Sequence, residues 1–366
     1  MKPQTEAELA QMVAGLNEPV HIQGGGTRGV KGPGRAIETS GLSGITLYEP
    51  GALTLVAQAG TSVAEIEGAL DAEGQQLAFE PMDHRGLLGS SGTPTIGGVV
   101  AANISGPRRV QAGACRDFLL GVRYVDGMGQ IVNNGGRVMK NVTGYDLVKL
   151  MAGSWGALGV LTEVSLKVLP KPEASVTLSV QVPDAAAGIQ ALSEALKSPF
   201  EVSGAAYDPD AGQALLRLEG FEDSVAYRSD QLKSVLSGYG DVAEVTGSTN
   251  LWAGLRDVTA FHNQDGDVWR ISVKPTDAPD IAARTGAERL LFDWGGGLIW
   301  ALVPEGTDLR ARLGALEGHA TLVRAQSDTV TRLGRFHPES AGVAALTKGI
   351  RQRFDPRGVF NSGLVG

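Results

Sequence analysis

The chain has 366 residues, room for two domains at about 150 residues each, and its 42% apolar and 20% charged content excludes disorder, collagen and coiled coil. A net charge of −8, with no basic cluster larger than a pair such as Arg108-Arg109, argues against nucleic acid as a partner. The lone Cys115 forms no intrachain disulfide or cysteine metal cluster, the polar start has no secretory or transit pattern, and no apolar run reaches the ~20 residues of a membrane span, so a cytoplasmic protein is expected, touching a membrane only through partners.

In chain order, residues 5–16 read as a helix with Leu9, Met12, Val13 and Leu16 on one face. A short strand at 20–22 runs into three glycines. A strand at 53–58 precedes a helix that Ser62 and Glu65 open as a capping box and Gly74 stops. Residues 119–126 and 130–132 form a hairpin around Gly-Met-Gly. Val164, Leu166 and Val168 alternate with Ser165 and Lys167 as a half-buried strand. Leu169-Pro170-Lys171-Pro172 then breaks the chain. The second half reads as strands at 176–182, 214–218, 268–273 and 297–303. Helices are expected at 184–196, 224–236 and 309–316, and a loop from 354 to the end. Strands alternating with helices, partly antiparallel, predict an α+β fold.

Glycine, at 51 residues, is about twice as frequent as the usual ~7%. Of these, 29 fall in residues 1–170, so that half must turn tightly or let backbone approach something closely. Three segments concentrate the small residues. HIQGGGTRG (21–29) has the composition of a loop whose amides form an anion nest. It is neither a Walker loop nor a helix-opening dinucleotide fingerprint, and a ligand-free turn is equally compatible with it. SSGTPTIGGVVAANISGPRR (90–109) suggests a helix or tight turn with open backbone, or a helix packed closely on a sheet. Two such loops in one domain favour a large cofactor between them. GGRVMKNVTGYDLVKLMAGSWGALGVLTEVSLKV (135–168) gathers Lys140, Asn141, Gly144, Tyr145 and Asp146 before Gly153, Gly156 and Gly159.

Together these segments resemble the FAD-binding domain of the vanillyl-alcohol oxidase and p-cresol methylhydroxylase superfamily. KNVTGYDL followed by GSWGALGVLTEVSLKV is similar to its D-2-hydroxy-acid dehydrogenase branch. With SGPRR upstream and FDPRGVFNSG downstream, the pattern looks most like the FAD-binding subunits of bacterial glycolate oxidases. The resemblance implies a two-subdomain FAD-binding domain at 1–170, an α+β cap-like domain at 171–335, and a segment at 336–366 returning to the flavin domain. Gln23, Gly24, Gly25, Gly26, Thr27 and Arg28 would cradle the FAD diphosphate. Gly92, Thr93, Thr95, Ile96, Gly97, Gly98 and Asn103 would form a second wall. Gly159, Val160 and Leu161 would meet the adenine side, and Asn361 would return toward the flavin. Superfamily members with covalent FAD carry histidine where this chain has Thr27, which implies non-covalent FAD.

The chain also departs from the branch. The histidine motif that binds a divalent metal in catalytic hydroxy-acid relatives corresponds here to FDWGGGLIWALV (292–303), which has no histidine and only Asp293 as a ligand. The five histidines lack metal-ligand spacing, and no metal is expected. Trp252 and Arg256 share a helical face, either as a surface cation–π pair or with Arg256 near the flavin, and Trp269-Arg270 resembles the following strand of the branch. Asp83-His84-Arg85 reads as a solvated loop rather than an acid–base triplet.

The resemblance therefore implies an FAD-carrying subunit of a glycolate oxidase complex, an electron relay or accessory flavoprotein inactive alone. Its partners would be a sister flavin subunit that oxidises glycolate to glyoxylate and an iron–sulfur subunit. Alternatives are a self-sufficient D-2-hydroxy-acid dehydrogenase, with Arg256 or Arg270 gripping the carboxylate and Tyr145 or Lys140 assisting proton transfer, and a flavin-free structural subunit.

Overall fold

In a computed structural model, residues 1–30, 32, 34–137, 144–361 and 363–364 are described. The N-terminal half is built on a five-stranded antiparallel sheet, in the order Ile45–Glu49, Thr54–Gln58, Val160–Lys167, Leu119–Val125 and Ile131–Gly135. Thr5 caps the first helix, Glu6–Ala14. The Ser62 hydroxyl accepts from the Glu65 amide to open Val63–Asp71, as its sequence requires. The strand Val160–Lys167 is not half-buried as its alternation suggests. It is central, and Thr162 and Ser165 are buried with its valines and leucines. One face packs on Ile66, Leu70, Ile96, Val99 and Phe118. Val160 on the opposite face joins Leu9, Val13, Val20, Ile37 and Phe360. This second small core forms because Val20–Gln23 pairs in parallel with Arg35–Glu38, while Val20 bridges to Phe360.

The second half is an eight-stranded sheet in the order Val242–Val245, Ala174–Gln181, Gln213–Gly220, Val202–Asp208, Arg289–Asp293, Leu298–Val303, Asp267–Val273 and Gly318–Arg324. Its pairings are all antiparallel rather than partly so. Helices Ala185–Lys197, Glu222–Leu236 and Ala278–Thr285 contribute to the core on one face. The side-chain period of two sorts each strand between its faces. Ile299, Ala301 and Val303 meet the helices, whereas Leu298, Trp300 and Leu302 form a core with Met82 and Leu87 of the first half. The helix expected at 309–316 ends at Leu313, before Gly314 with φ +67°. A helix at Ala341–Phe354 occupies a stretch with no helix in the sequence reading.

The two halves meet across a buried charge cluster. Glu80 of the first half pairs with Arg217 of the second at 2.9 Å, and Arg108 of the first with Glu219 of the second at 2.8 Å. Arg108–Glu80 and Arg217–Glu219 cross-links, both at 3.3 Å, close the square. Burial raises the Glu219 carboxyl, but the Arg108 hydrogen bonds and the charges of Arg217 and Arg108 outweigh it and hold the group down at about 2. Its folded value lies below the ~4.3 of an unfolded chain. The resulting stabilisation is therefore complete above about pH 4.3 and is lost as pH falls toward about 2. Glu219→Gln should cost about 3 kcal/mol, the low end for breaking a buried pair while Glu80 remains. It should also flatten the acid limb of stability; urea unfolding at a series of pH values measures both.

Candidate functional site

The strand Val20–Gln23 delivers Gly24, Gly25 and Gly26 into a turn. Gly26 has φ +71°, a conformation strained for any side chain. Gly25 has no positive φ. It is glycine because a Cβ there would lie 1.6 Å from the Thr93 carbonyl oxygen. A Cβ on Gly92 would meet the Gly25 carbonyl at 2.2 Å, and one on Gly24 the Thr95 hydroxyl at 2.4 Å. The two glycine-rich loops are thus packed backbone on backbone. Thr95 caps the helix Ile96–Ala101 by accepting from the Gly98 amide at 3.3 Å. Gly97 lies against Ala59, where a Cβ would come within 2.6 Å.

Asn361 ties a third segment to these loops. Its Oδ1 accepts from the Ile22 amide at 2.8 Å, and its Nδ2 donates to the Trp155 carbonyl at 2.5 Å. Together they line a cleft of about 750 Å³ that is open to solvent. Gln23, Gly24, Gly25, Gly26, Thr27, Arg28, Gly97, Gly98, Gly159, Leu161 and Asn361 line it. Ile22, Val30, Thr39, Ala59, Ala101, Ala102, Trp155 and Gly156 also line it, and the sequence reading had not assigned them to the cofactor. Gly92, Thr93 and Thr95 support the wall from behind. Ile96 and Val160 are core side chains. Asn103 lies instead in the adjoining cavity.

That cavity, about 1400 Å³, shares Arg28, Val30, Ala102 and Trp155 with the cleft and opens between the two halves. Strand alternation supplies its far wall. Arg270 and Ser272 point away from the helices, opposite Trp300 and Leu298 on one neighbour and Thr321 and His319 on the other. Arg109 and Arg270 both lie over the Trp294 ring, 4.4 and 5.0 Å from its centroid. The Trp294 indole N–H donates to the Gly106 carbonyl at 3.0 Å.

Among the described residues, the Arg28, Arg109 and Arg270 side chains make no hydrogen bond or ion pair, and the Arg28 Nε is fully buried without a partner. Burial lowers Arg28 and Arg270 to about 10, with Arg109 adding to the effect on Arg270, so both stay charged at neutral pH. Burial, reinforced by Arg28, lowers His84 to about 3 and keeps it neutral. Its Nδ1 lies 3.3 Å from the Met82 carbonyl. Burial raises Asp293 to about 7 against the pull of the Trp294 amide. The cavity therefore carries excess positive charge and attracts an anion.

The candidate catalytic residues separate. Arg256 reaches the cavity but pairs with Asp257 at 2.7 Å. The cation over Trp252 is Arg217, at 4.7 Å, and Trp252 is buried, its indole N–H donating to Thr177; no surface Trp252–Arg256 pair forms. Tyr145 is 89% exposed and lines neither space. Lys140 and Asn141 lie outside the described residues. The 83–85 loop is not wholly solvated: Arg85 pairs with Asp83 near the surface, but His84 is buried and faces the cavity. Among the described residues, no three His, Cys, Asp or Glu side chains converge as a metal-ligand set.

Residues 1–135 match the family described as FAD binding domain. The solved structure of alkyldihydroxyacetonephosphate synthase superposes with a TM-score of 0.72 at 18% identity, over 99% of this chain and 76% of that one, which shows a shared fold. The family match marks an FAD-binding protein, and the superposition agrees with the p-cresol methylhydroxylase-type fold. Glycolate oxidase subunit GlcE of Escherichia coli K12 is 37% identical over 99% of this chain and 97% of its own length. The chain belongs to the family of that subunit. Glycolate oxidase subunit GlcD of Bacillus subtilis is 35% identical over 39% of this chain and 29% of its own length. A D-lactate dehydrogenase of Archaeoglobus fulgidus is 29% identical over 50% and 41%.

The residues present fit FAD. A buried guanidinium without a counter-charge is costly unless an anion meets it, and Arg28 lies beside Gly98, where a Cβ would come 2.7 Å from its Nη1. Arg28→Met should leave the flavin-free protein at least as stable to heat as the parent. It should weaken FAD binding about 10- to 100-fold, the worth of one hydrogen bond to a charged group. Fluorescence titration of the apoprotein and its thermal unfolding read the two effects.

Proposed function

We propose that this chain is the non-covalent FAD-carrying subunit of a glycolate oxidase complex, working beside a sister flavin subunit and an iron–sulfur subunit as an electron relay. The match along nearly the whole length of glycolate oxidase subunit GlcE carries this reading. FAD supplies the redox chemistry of such a subunit. The chain's own residues bind and enclose it. Gln23 to Arg28 and Gly97-Gly98 hold the diphosphate with backbone amides and one guanidinium, and Asn361 closes the cleft by joining the first strand to the Trp155 turn. Thr27, buried and with its carbonyl accepting from Ser90, offers no imidazole for a covalent link.

Oxidising a 2-hydroxy acid requires an anchor for the carboxylate and a base for the hydroxyl proton. The arginines of the cavity meet the first need. The second is met poorly by His84, whose conjugate acid dissociates at about 3. This imbalance supports a subunit that does not oxidise glycolate by itself.

Asp293 favours a second reading. A carboxyl pushed to about 7 within the same cavity as Arg109 and Arg270 is poised to exchange a proton at neutral pH. This would suit a self-sufficient dehydrogenase of 2-hydroxy acids.

Mixing the pure protein anaerobically with excess glycolate separates the two. Unchanged flavin absorbance alone, with bleaching once the sister flavin subunit is added, is the expected result. Rapid bleaching of the isolated chain that Asp293→Asn abolishes would establish the second reading. Acid precipitation should release FAD quantitatively into the supernatant; flavin remaining with the polypeptide would refute non-covalent binding.

A further inference from the structure

The turn after the strand Arg289–Asp293 holds a backbone outlier. Trp294 has φ +54°, a conformation unfavourable for a bulky side chain that persists only where its surroundings impose it. Here they do. The Trp294 amide donates to the Asp293 carboxylate at 2.7 Å, and Gly295 and Gly296 continue the turn at φ +65° and +100°. The indole N–H reaches across to the Gly106 carbonyl of the first half at 3.0 Å. The ring so fixed is a platform shared by Arg109 of one half and Arg270 of the other, 4.4 and 5.0 Å from its centroid. Among the described residues, neither guanidinium has a hydrogen-bond partner or a counter-charge, and both face the cavity between the halves.

We propose that Arg109 and Arg270, on the Trp294 platform, form a binding site for a small dicarboxylate. Charge balance sets the valence. Arg256 is neutralised by Asp257, and Arg28 belongs to the FAD diphosphate. Burial keeps His84 and His319 neutral. Arg109, Arg270 and Arg335 remain, the last bonded to the carbonyls of Gly29, Leu322 and Val323. Among the residues lining the cavity Asp293 is the one carboxylate, and it offsets at most one of these three charges. A monoanion therefore leaves buried positive charge uncompensated, whereas a dianion completes the balance. Two guanidinium forks on one ring are two separate points of recognition. They suit a carboxylate at each end of a short chain better than one compact tetrahedral anion. Leu298, Trp300 and Leu322 give apolar surface to the carbons between, and Ser272 and Thr321 supply hydroxyls for a polar substituent. Such a ligand carries one carboxylate more than glycolate, so the site is separate in purpose from the electron relay and does not depend on it.

Malonate serves as the test ligand, because it has no hydroxyl to oxidise and its binding is read apart from any turnover. It is titrated into the oxidised, FAD-loaded protein at neutral pH and low salt, with calorimetry and tryptophan fluorescence as readouts. Malonate should bind at least about tenfold more tightly than acetate or inorganic phosphate, the worth of one further hydrogen bond between charged groups. Arg270→Met and Arg109→Met should each weaken malonate at least about tenfold. Methionine keeps an apolar stem over the Trp294 ring and removes an unpaired charge, so FAD content should be unchanged and the melting temperature should not fall. Equal affinity for malonate and acetate, or for malonate and phosphate, would overturn the assignment to a dicarboxylate. No binding, or binding that survives both substitutions, would overturn the site. A variant that loses FAD would assign its arginine to the cofactor and refute the proposal as well. None of these results bears on the relay reading, which fails instead if glycolate alone bleaches the flavin.

Discussion

Glu80, Arg108, Arg217 and Glu219 form a neutral square of charges, two from each half of the molecule, with side chains only 4–15% exposed. Buried pairs of this kind add little net stability, because desolvation offsets most of the attraction. What they impose is geometry. A slide of one half against the other would break Glu80–Arg217 and Arg108–Glu219 and leave each half only its own longer pair, Arg108–Glu80 or Arg217–Glu219. With the halves fixed, Trp294 reaches the Gly106 carbonyl and Arg324 the Leu87 carbonyl. The apolar face of the eight-stranded sheet is then covered by Met82 and Leu87 where the halves touch. It is left open where they do not, and the open part is the arginine-lined cavity.

The same geometry explains how a chain with excess negative charge keeps a positive interior. The carboxylates that would neutralise Arg28, Arg109 and Arg270 are engaged elsewhere: Asp257 with Arg256, Asp83 with Arg85, and Glu80 and Glu219 in the square. Trp294 supports Arg109 and Arg270 through its π face. The three guanidinium groups thus line one cavity with only Asp293, itself held up at about 7, to offset them, and an anionic ligand meets uncompensated positive charge.

Much of the lining of the candidate cleft was legible in the sequence, because glycine runs and a capping threonine announce exposed backbone. The purpose of each glycine was not. Gly25 and Gly97 are required by Thr93 and Ala59, contacts between segments that no local pattern reveals. The cavity was less legible still. Arg109, His84 and Trp294 come from three separate segments, and only the sheet register brings Arg270 opposite Thr321. A signal was present in the alternation of Arg270 and Ser272, and of His319 and Thr321, with apolar neighbours, which marks strand faces turned toward something polar. The helix Ala341–Phe354 escaped notice because its exposed apolar residues face no core in this chain, and its glycines and alanines blur the period.

Asn361 joins residues separated by most of the polypeptide, bonding the Ile22 amide and the Trp155 carbonyl with one side chain. The walls of the cleft therefore cannot close during the first three hundred or so residues of synthesis. Until residue 361 has cleared the ribosome, the strand Val20–Gln23 lacks both the Asn361 amide bond and the Phe360 bridge that set its position. Completion of the cleft is thus a property of the chain's far end rather than of the glycine loops alone. A chain cut just before this asparagine would keep every strand of both sheets yet lose the one side chain that ties the first strand to the Trp155 turn.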